Sequence, residues 1–358
     1  MSDFKVAKNY FKSFFNSDIL CELPFLKVFE VIANHEKIEF VRNLNFVTKI
    51  SQSQNADVLL KKSRAFLKID DLHKQGFLGQ NVTVAIIDTG CHPHLDFVLG
   101  QNRILFFKDF LENKQFAYDD NGHGTFVAGV VGGSGLTYGG KFKGVAPECK
   151  LVVLKALNKD GETKSSTILM AMQWILDNAK KFNIKIVCMS FGSTPQQKDD
   201  PLVLGAEMLW QHGIVVVCAA GNDGPKHETI KSPGVSPRVI TVGSAEKLES
   251  LTKVKPANFS SRGPAFDFFK PDVLAPGVEI VSTTNTNKFY TKMSGTSVST
   301  PFVAGICALV LSKYDLSPNE LKFLLLESAT KTSFSPNEAG SGFVNPFDLL
   351  KAIRHKIN

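Results

Sequence analysis

The chain contains no run of eighteen apolar residues, so no segment reads as a membrane-spanning helix. Its start, Met1-Ser2-Asp3-Phe4-Lys5, leads into no uninterrupted apolar stretch with a small-residue cleavage site, which argues against a secretory leader. The 6 cysteines, Cys21, Cys91, Cys149, Cys188, Cys218 and Cys307, form no CxxC pair and no metal-spaced cluster. Most lie inside apolar runs and are expected as buried free thiols. These absences point to a cytoplasmic protein with no membrane partner. The net charge is +7, yet the lysines are scattered and no basic tract is interleaved with aromatics, so no nucleic-acid partner is expected. Internal repeats and low-complexity segments are also missing. Trp and Tyr are scarce, 2 and 5, against 29 Phe.

Length and an ordinary balance of apolar and charged residues allow one large α/β domain and one small domain. Residues 1–60 are rich in Phe and Lys and poor in Gly. There, Phe25 to Ile32 is expected as a strand, His35 to Leu44 as a helix and Phe46 to Ile50 as a second strand, a small α+β unit. Gln52 to Asp57 then has the composition of an exposed linker. Residues 61–358 alternate strands and helices. The apolar runs at 82–87, 151–154, 184–189 and 214–218 are separated by helical patterns at 166–182 and 201–212. Near-continuous apolar strands with helical crossovers imply a mostly parallel sheet covered by helices on both faces. Sites in such sheets gather at the C-terminal strand ends, and Asp88, Ser190 and Asn222 each follow a strand.

Chemistry concentrates at four places. Gly295-Thr296-Ser297 opens an almost wholly apolar helix, which sets a hydroxyl beside unpaired backbone N–H groups. Pro301 is expected in that helix's first turn, where its missing N–H costs little. Gly122-His123-Gly124-Thr125 opens a second apolar helix with an imidazole that no bulky neighbour shields. Asp88-Thr89-Gly90 ends a buried strand, and Ala220-Gly221-Asn222 brings a side-chain amide after another. Singly, each is an ordinary cap or turn. Jointly, Asp88, His123 and Ser297 are the residue types of an oriented base and its nucleophile, and Asn222 is an oxyanion donor.

These segments, in this Asp, His, Asn, Ser order, resemble the signature segments of the subtilisin-like serine proteases. The resemblance spans roughly residues 66 to 353 and looks most like the intracellular bacterial branch. It implies a subtilisin-like three-layer fold and a serine endopeptidase, with Ser297 as nucleophile, His123 as general acid/base, Asp88 as its orienter and Asn222 in the oxyanion hole. It also implies extended polypeptide substrates held along Asp160-Gly161 and Ser190-Phe191-Gly192, with Lys231 at the floor of the pocket for the residue before the scissile bond. An ammonium there would favour an acidic side chain and repel a basic one. Pairing with Asp223, or a stem reaching to solvent, would instead leave an apolar floor. Residues 1–60 correspond to a propeptide that aids folding and inhibits in cis, with cleavage between Asn55 and Arg64. No cofactor is required. The calcium loop of the family is altered, since residues 132–140 hold no carboxylate and Asp96 matches a calcium ligand only after a one-residue gap, so calcium is not supported. The alternatives are transfer of the same acyl group to an amine, and a silent peptide-binding module on the same fold.

Overall fold

The computed structural model describes residues 2–23, 28–48, 50, 63–64, 66–195, 200–246, 253–286 and 288–357. The chain forms two compact units, Met1–Asp57 and Val58–Asn358. The expected linker at Gln52 to Asp57 lies outside the described residues.

The smaller unit contains helix α1 (Ser2–Phe15), strands β1 (Ile19–Leu23) and β2 (Val28–Val31), and helix α2 (His35–Arg42). The order differs from the expected β-α-β. The two strands pair antiparallel with each other, Leu23 opposite Val28, ahead of α2. Asn34 caps α2 by accepting the Lys37 N–H at 2.9 Å, so the helix begins where the sequence suggests. Residues 46–48 form no strand; the Val47 N–H closes a turn on the Leu44 carbonyl at 2.9 Å, and Phe46 packs edge-on against Tyr10 and Phe11. Part of the phenylalanine excess is used here. Phe11 stacks on Phe29 at 5.1 Å and on Phe15 at 5.4 Å, and Phe14 on Phe40 at 4.9 Å. Offset ring stacks of this kind stabilise a core too small to rely on aliphatic burial alone.

The larger unit is built on a seven-stranded sheet in the order β4-β5-β3-β6-β7-β8-β9, all of its pairings parallel. The strands are β3 (Thr83–Asp88), β4 (Ile104–Asp109), β5 (Lys150–Lys155), β6 (Ile184–Met189), β7 (Val215–Ala219), β8 (Ile240–Ala245) and β9 (Val273–Pro276). A hairpin, β10 (Ile280–Thr283) with β11 (Tyr290–Met293), follows. Helices α3 (His123–Gly132) and α6 (Thr296–Leu311) pack together against the sheet, as do α4 (Ser165–Phe182) and α5 (Pro201–Gln211). The strands read as near-continuous apolar runs because β3 and β7 are buried along their whole length.

Helix α6 sets the position of the site. Of residues 295–310, all but Ser297 are buried, so the chain is held from every side except at that serine. Pro301 falls inside the helix rather than in its first turn, because the helix begins at Thr296. Its missing N–H leaves the Ser297 carbonyl without the usual partner four residues on. Helix α3 approaches the end of β3 by backbone contact. A Cβ on Gly124 would collide with the Gly90 carbonyl, so only glycine lets the two segments meet.

Candidate active site

Asp88 is the last residue of β3 and is fully buried. Its Oδ1 accepts from the Thr89 N–H at 2.7 Å and lies 2.8 Å from His123 Nδ1. Its Oδ2 is buried and has no hydrogen bond among the described residues. The carboxylate is therefore weakly compensated, which favours a positive charge on the neighbouring ring. Burial disfavours the imidazolium, but the charge and hydrogen bond of Asp88 outweigh it and hold the His123 pKa above its ordinary value. A bond through Nδ1 leaves Nε2 as the ring nitrogen that exchanges a proton.

Ser297 and Asn222 converge across Gly295. A methyl group placed on Gly295 would lie 3.1 Å from Ser297 Oγ and 3.5 Å from Asn222 Nδ2. The Asn222 amide is held by its oxygen, which accepts from the Thr296 N–H at 2.9 Å and the Thr296 hydroxyl at 3.1 Å. That contact turns Nδ2 away from Thr296, and Nδ2 has no hydrogen-bond partner among the described residues. Ser297 is the second residue of α6, so its N–H has no carbonyl one turn back and is equally free. Ser297 Oγ carries no hydrogen bond among the described residues. Such bonds commonly close only when substrate is bound.

Several organising residues carried no signal that singled them out in the sequence. Asp119 Oδ1 accepts from the Thr89 hydroxyl at 2.9 Å and the Gly122 N–H at 2.8 Å. Its Oδ2 accepts from the Thr125 N–H at 2.8 Å and the Thr125 hydroxyl at 2.7 Å. Thr89 Oγ1 in turn accepts the Gly124 N–H at 2.9 Å, so the start of α3 and the end of β3 share one network. Lys155, at the end of β5 and buried, donates to the Thr89 carbonyl and to Asp120 Oδ1, both at 2.6 Å, and to the Leu157 carbonyl at 3.0 Å. Asp119, four residues before His123 and just ahead of an apolar helix, had the composition of a helix cap. That was the signal available.

Both expected substrate edges are loops beside this centre. Asp160 and Gly161 lie in a turn in which Asn158 Oδ1 accepts the N–H groups of Asp160 and Glu162, each at 2.9 Å. Asn121 Nδ2 donates to the Lys159 carbonyl at 2.9 Å and ties that turn to the start of α3. Ser190 is buried at the end of β6, Phe191 is half-buried and Gly192 is exposed. Lys231 reaches the Ser190-Phe191-Gly192 edge, and its ammonium sits 2.5 Å from Asp223. Of the arrangements the sequence left open for Lys231, the one found is the pair with Asp223.

The residues at the altered calcium loop do not fit the ion. Asp96 is fully buried, and its Oδ1 accepts the Thr137 hydroxyl at 2.6 Å and the Thr137 N–H at 3.1 Å. Its Oδ2 accepts the Tyr290 hydroxyl at 2.7 Å. Donors occupy the oxygens that a cation would need, and among the described residues no three His, Cys, Asp or Glu side chains gather as a metal site. Removing a donor from a buried carboxylate costs about 1–3 kcal/mol or more. Tyr290→Phe is thus expected to destabilise the protein by about 2–3 kcal/mol, while wild type melts at the same temperature in calcium and in chelator. A calcium-dependent rise of several degrees would contradict this.

Cys91, Cys149, Cys188, Cys218 and Cys307 are free and buried, and burial pushes the Cys218 thiol up to about 12.

The profile of the Subtilase family matches residues 79–343. The chain belongs to the subtilase family. It is 42% identical over 297 residues to Serine protease AprX of Bacillus subtilis (strain 168), covering 76% of this chain and 66% of that protein, a little under two thirds of its length. It is 35% identical over 285 residues to Subtilisin DY of Bacillus licheniformis, covering 78% of this chain and 94% of that one. Among solved structures, a cold adapted subtilisin-like serine proteinase matches with a TM-score of 0.60 and 30% identity, over 75% of this chain and 88% of that one. As in that subtilisin-like structure, the α/β fold found here is a parallel sheet with packed helices.

Proposed function

We propose that this subtilase is a serine endopeptidase that cleaves extended polypeptides through an acyl-enzyme. The observations that support the reading are the 2.8 Å bond between Asp88 and His123 and the half-burial of Ser297 within the otherwise buried stretch 295–310. In this reading Ser297 Oγ attacks the scissile carbonyl carbon while His123 Nε2 takes the hydroxyl proton, and Asp88 stabilises the resulting imidazolium. The carbonyl oxygen becomes an oxyanion, and Asn222 Nδ2 and the Ser297 N–H donate to it. Collapse breaks the C–N bond, and His123 returns the proton to the departing amine. Water, activated by the same base, then releases the acid and regenerates Ser297. No metal or organic cofactor enters any step.

The backbone of Asp160-Gly161 and of Ser190-Phe191-Gly192 offers edges to which a substrate adds as a strand. We further assign residues 1–60 the role of an intramolecular folding aid and inhibitor for the catalytic segment 61–358. The small, separately folded unit supports this, as does the slow folding expected of a parallel sheet rich in non-local contacts. The free cysteines favour a reducing, cytoplasmic compartment.

The test is hydrolysis of a peptide library by wild type and Asn222→Leu. Loss of one oxyanion donor is expected to lower kcat by about 10²–10³ with KM little changed. Peptide cleavage that is absent in wild type, or unaltered in the variant, would overturn the reading.

A further inference from the structure

In the peptidase reading, the side chain of the residue whose carbonyl is attacked is taken to enter the space beside the oxyanion donor Asn222. Next to Asn222 that space is a slot between two backbone segments, 190–192 running off β6 and 220–222 running off β7, which are neighbouring parallel strands. Lys231 occupies it. The Lys231 N–H donates to the Ala220 carbonyl at 2.9 Å, and Ser193 and Ser232 exchange backbone bonds at 3.0 and 2.8 Å, so the residue is tied to both walls. A Cβ on Gly192 would lie 2.5 Å from Lys231 Cβ, and one on Gly221 would lie 2.6 Å from Lys231 Cγ. Those two glycines make room for the lysine stem, and the stem takes the room.

The head group is also committed. Its ammonium pairs with Asp223 Oδ2 at 2.5 Å and donates to Thr194 Oγ1 at 3.1 Å. The Lys231 side chain is 21% exposed and that of Asp223 54%, so the pair sits at the mouth of the slot with the acid outermost. An incoming carboxylate would have to displace Asp223 and meet its charge. An incoming ammonium would meet that of Lys231.

We propose that Lys231 determines specificity by filling this slot, so that the enzyme takes peptides with a small apolar residue on the acyl side of the scissile bond. The proposal rests on the peptidase reading above. Large aromatic side chains are excluded by the four methylenes of the stem, and charged ones by the committed pair. Pocket volume differences of one methylene already discriminate about 10-fold or more.

The experiment measures kcat/KM on matched peptides with Ala, Leu, Phe, Glu or Lys at that position. Wild type is expected to prefer Ala over Phe by about 10-fold or more. Lys231→Gly, which empties the slot, is expected to raise the Phe:Ala ratio by at least that factor, whereas Lys231→Met keeps the stem and the wild-type order. Asp223→Asn frees the ammonium and is expected to raise the Glu:Ala ratio. Thermal melting of each variant establishes that it is folded. A wild-type preference for Phe, or a Phe:Ala ratio unmoved in Lys231→Gly, overturns the proposal while leaving the peptidase reading intact. Hydrolysis of no peptide by wild type overturns the peptidase reading itself.

Discussion

Ser297→Ala is expected to lower kcat by about 10⁶, the loss found when the nucleophile is removed from a related subtilisin. The size follows from the division of labour. The serine and its base act as one unit, so removing either leaves only the oxyanion donors and substrate positioning, together about 10³–10⁴ over water. Ser297 is partly exposed at the start of a buried helix, and its Oγ makes no hydrogen bond among the described residues, so alanine should cost little stability. The variant must therefore melt like wild type while losing activity. It also tests the role given to the N-terminal unit. Wild-type chain is expected to shorten on incubation by a cut between residues 55 and 64, and the Ser297→Ala chain to stay intact by mass spectrometry. Retained turnover above a tenth of wild type would exclude Ser297 as nucleophile.

Asp88→Asn has the second largest expected effect, about 10⁴ in kcat. The amide keeps the shape but can present its N–H to His123 Nδ1, which favours the tautomer with the proton on Nε2 and blocks proton acceptance from serine. The pH profile carries a separate signature. The base works only when neutral, so kcat/KM falls as pH drops through the pKa of His123. Burial alone would lower that pKa, and Asp88 reverses the sign. The acid limb of wild type is therefore expected above the ordinary imidazole value of about 6.5, and Asp88→Asn should move it to lower pH. Stability runs the other way. A folded pKa raised above the unfolded one contributes stability that is present below the unfolded value and is lost as pH rises through the folded one. Residual activity of Asp88→Asn with an unshifted acid limb would contradict the assignment.

The strands that carry the site were legible because burial on both faces leaves an apolar run with little else in it, as in β3, β6 and β7. Helices α4 and α5 were legible from their spacing. Strands β8 and β9 were not. In β8 the apolar run is broken by Thr241, Gly243 and Ser244, whose polarity is satisfied within the fold: the Thr241 hydroxyl donates to the Gly234 carbonyl at 2.6 Å and its N–H to Asp272 at 2.7 Å. Strand β9 has four residues. In the N-terminal unit, Phe46 and Val47 had strand composition, but turn closure and aromatic packing prevailed.

At the site, the residue types next to the chemistry were legible because each sits at the edge of a strong element. Their supports were not. Asp119 and Lys155 act by bonding backbone groups of distant loops, and such pairings leave no periodic trace in a sequence. Lys231 shows both halves of this: its position suggested a pocket floor, but the close fit of its stem between Gly192 and Gly221 is visible only in three dimensions.

The central claim is that Ser297 is an activated nucleophile, and a fluorophosphonate adduct tests it most directly. Full-length protein is reacted with the probe, digested by an added protease of known specificity and mapped by mass spectrometry. The account predicts a stoichiometric adduct on Ser297 that forms more slowly in His123→Ala and is absent in Ser297→Ala. An adduct on another residue, or labelling that survives Ser297→Ala, would contradict it.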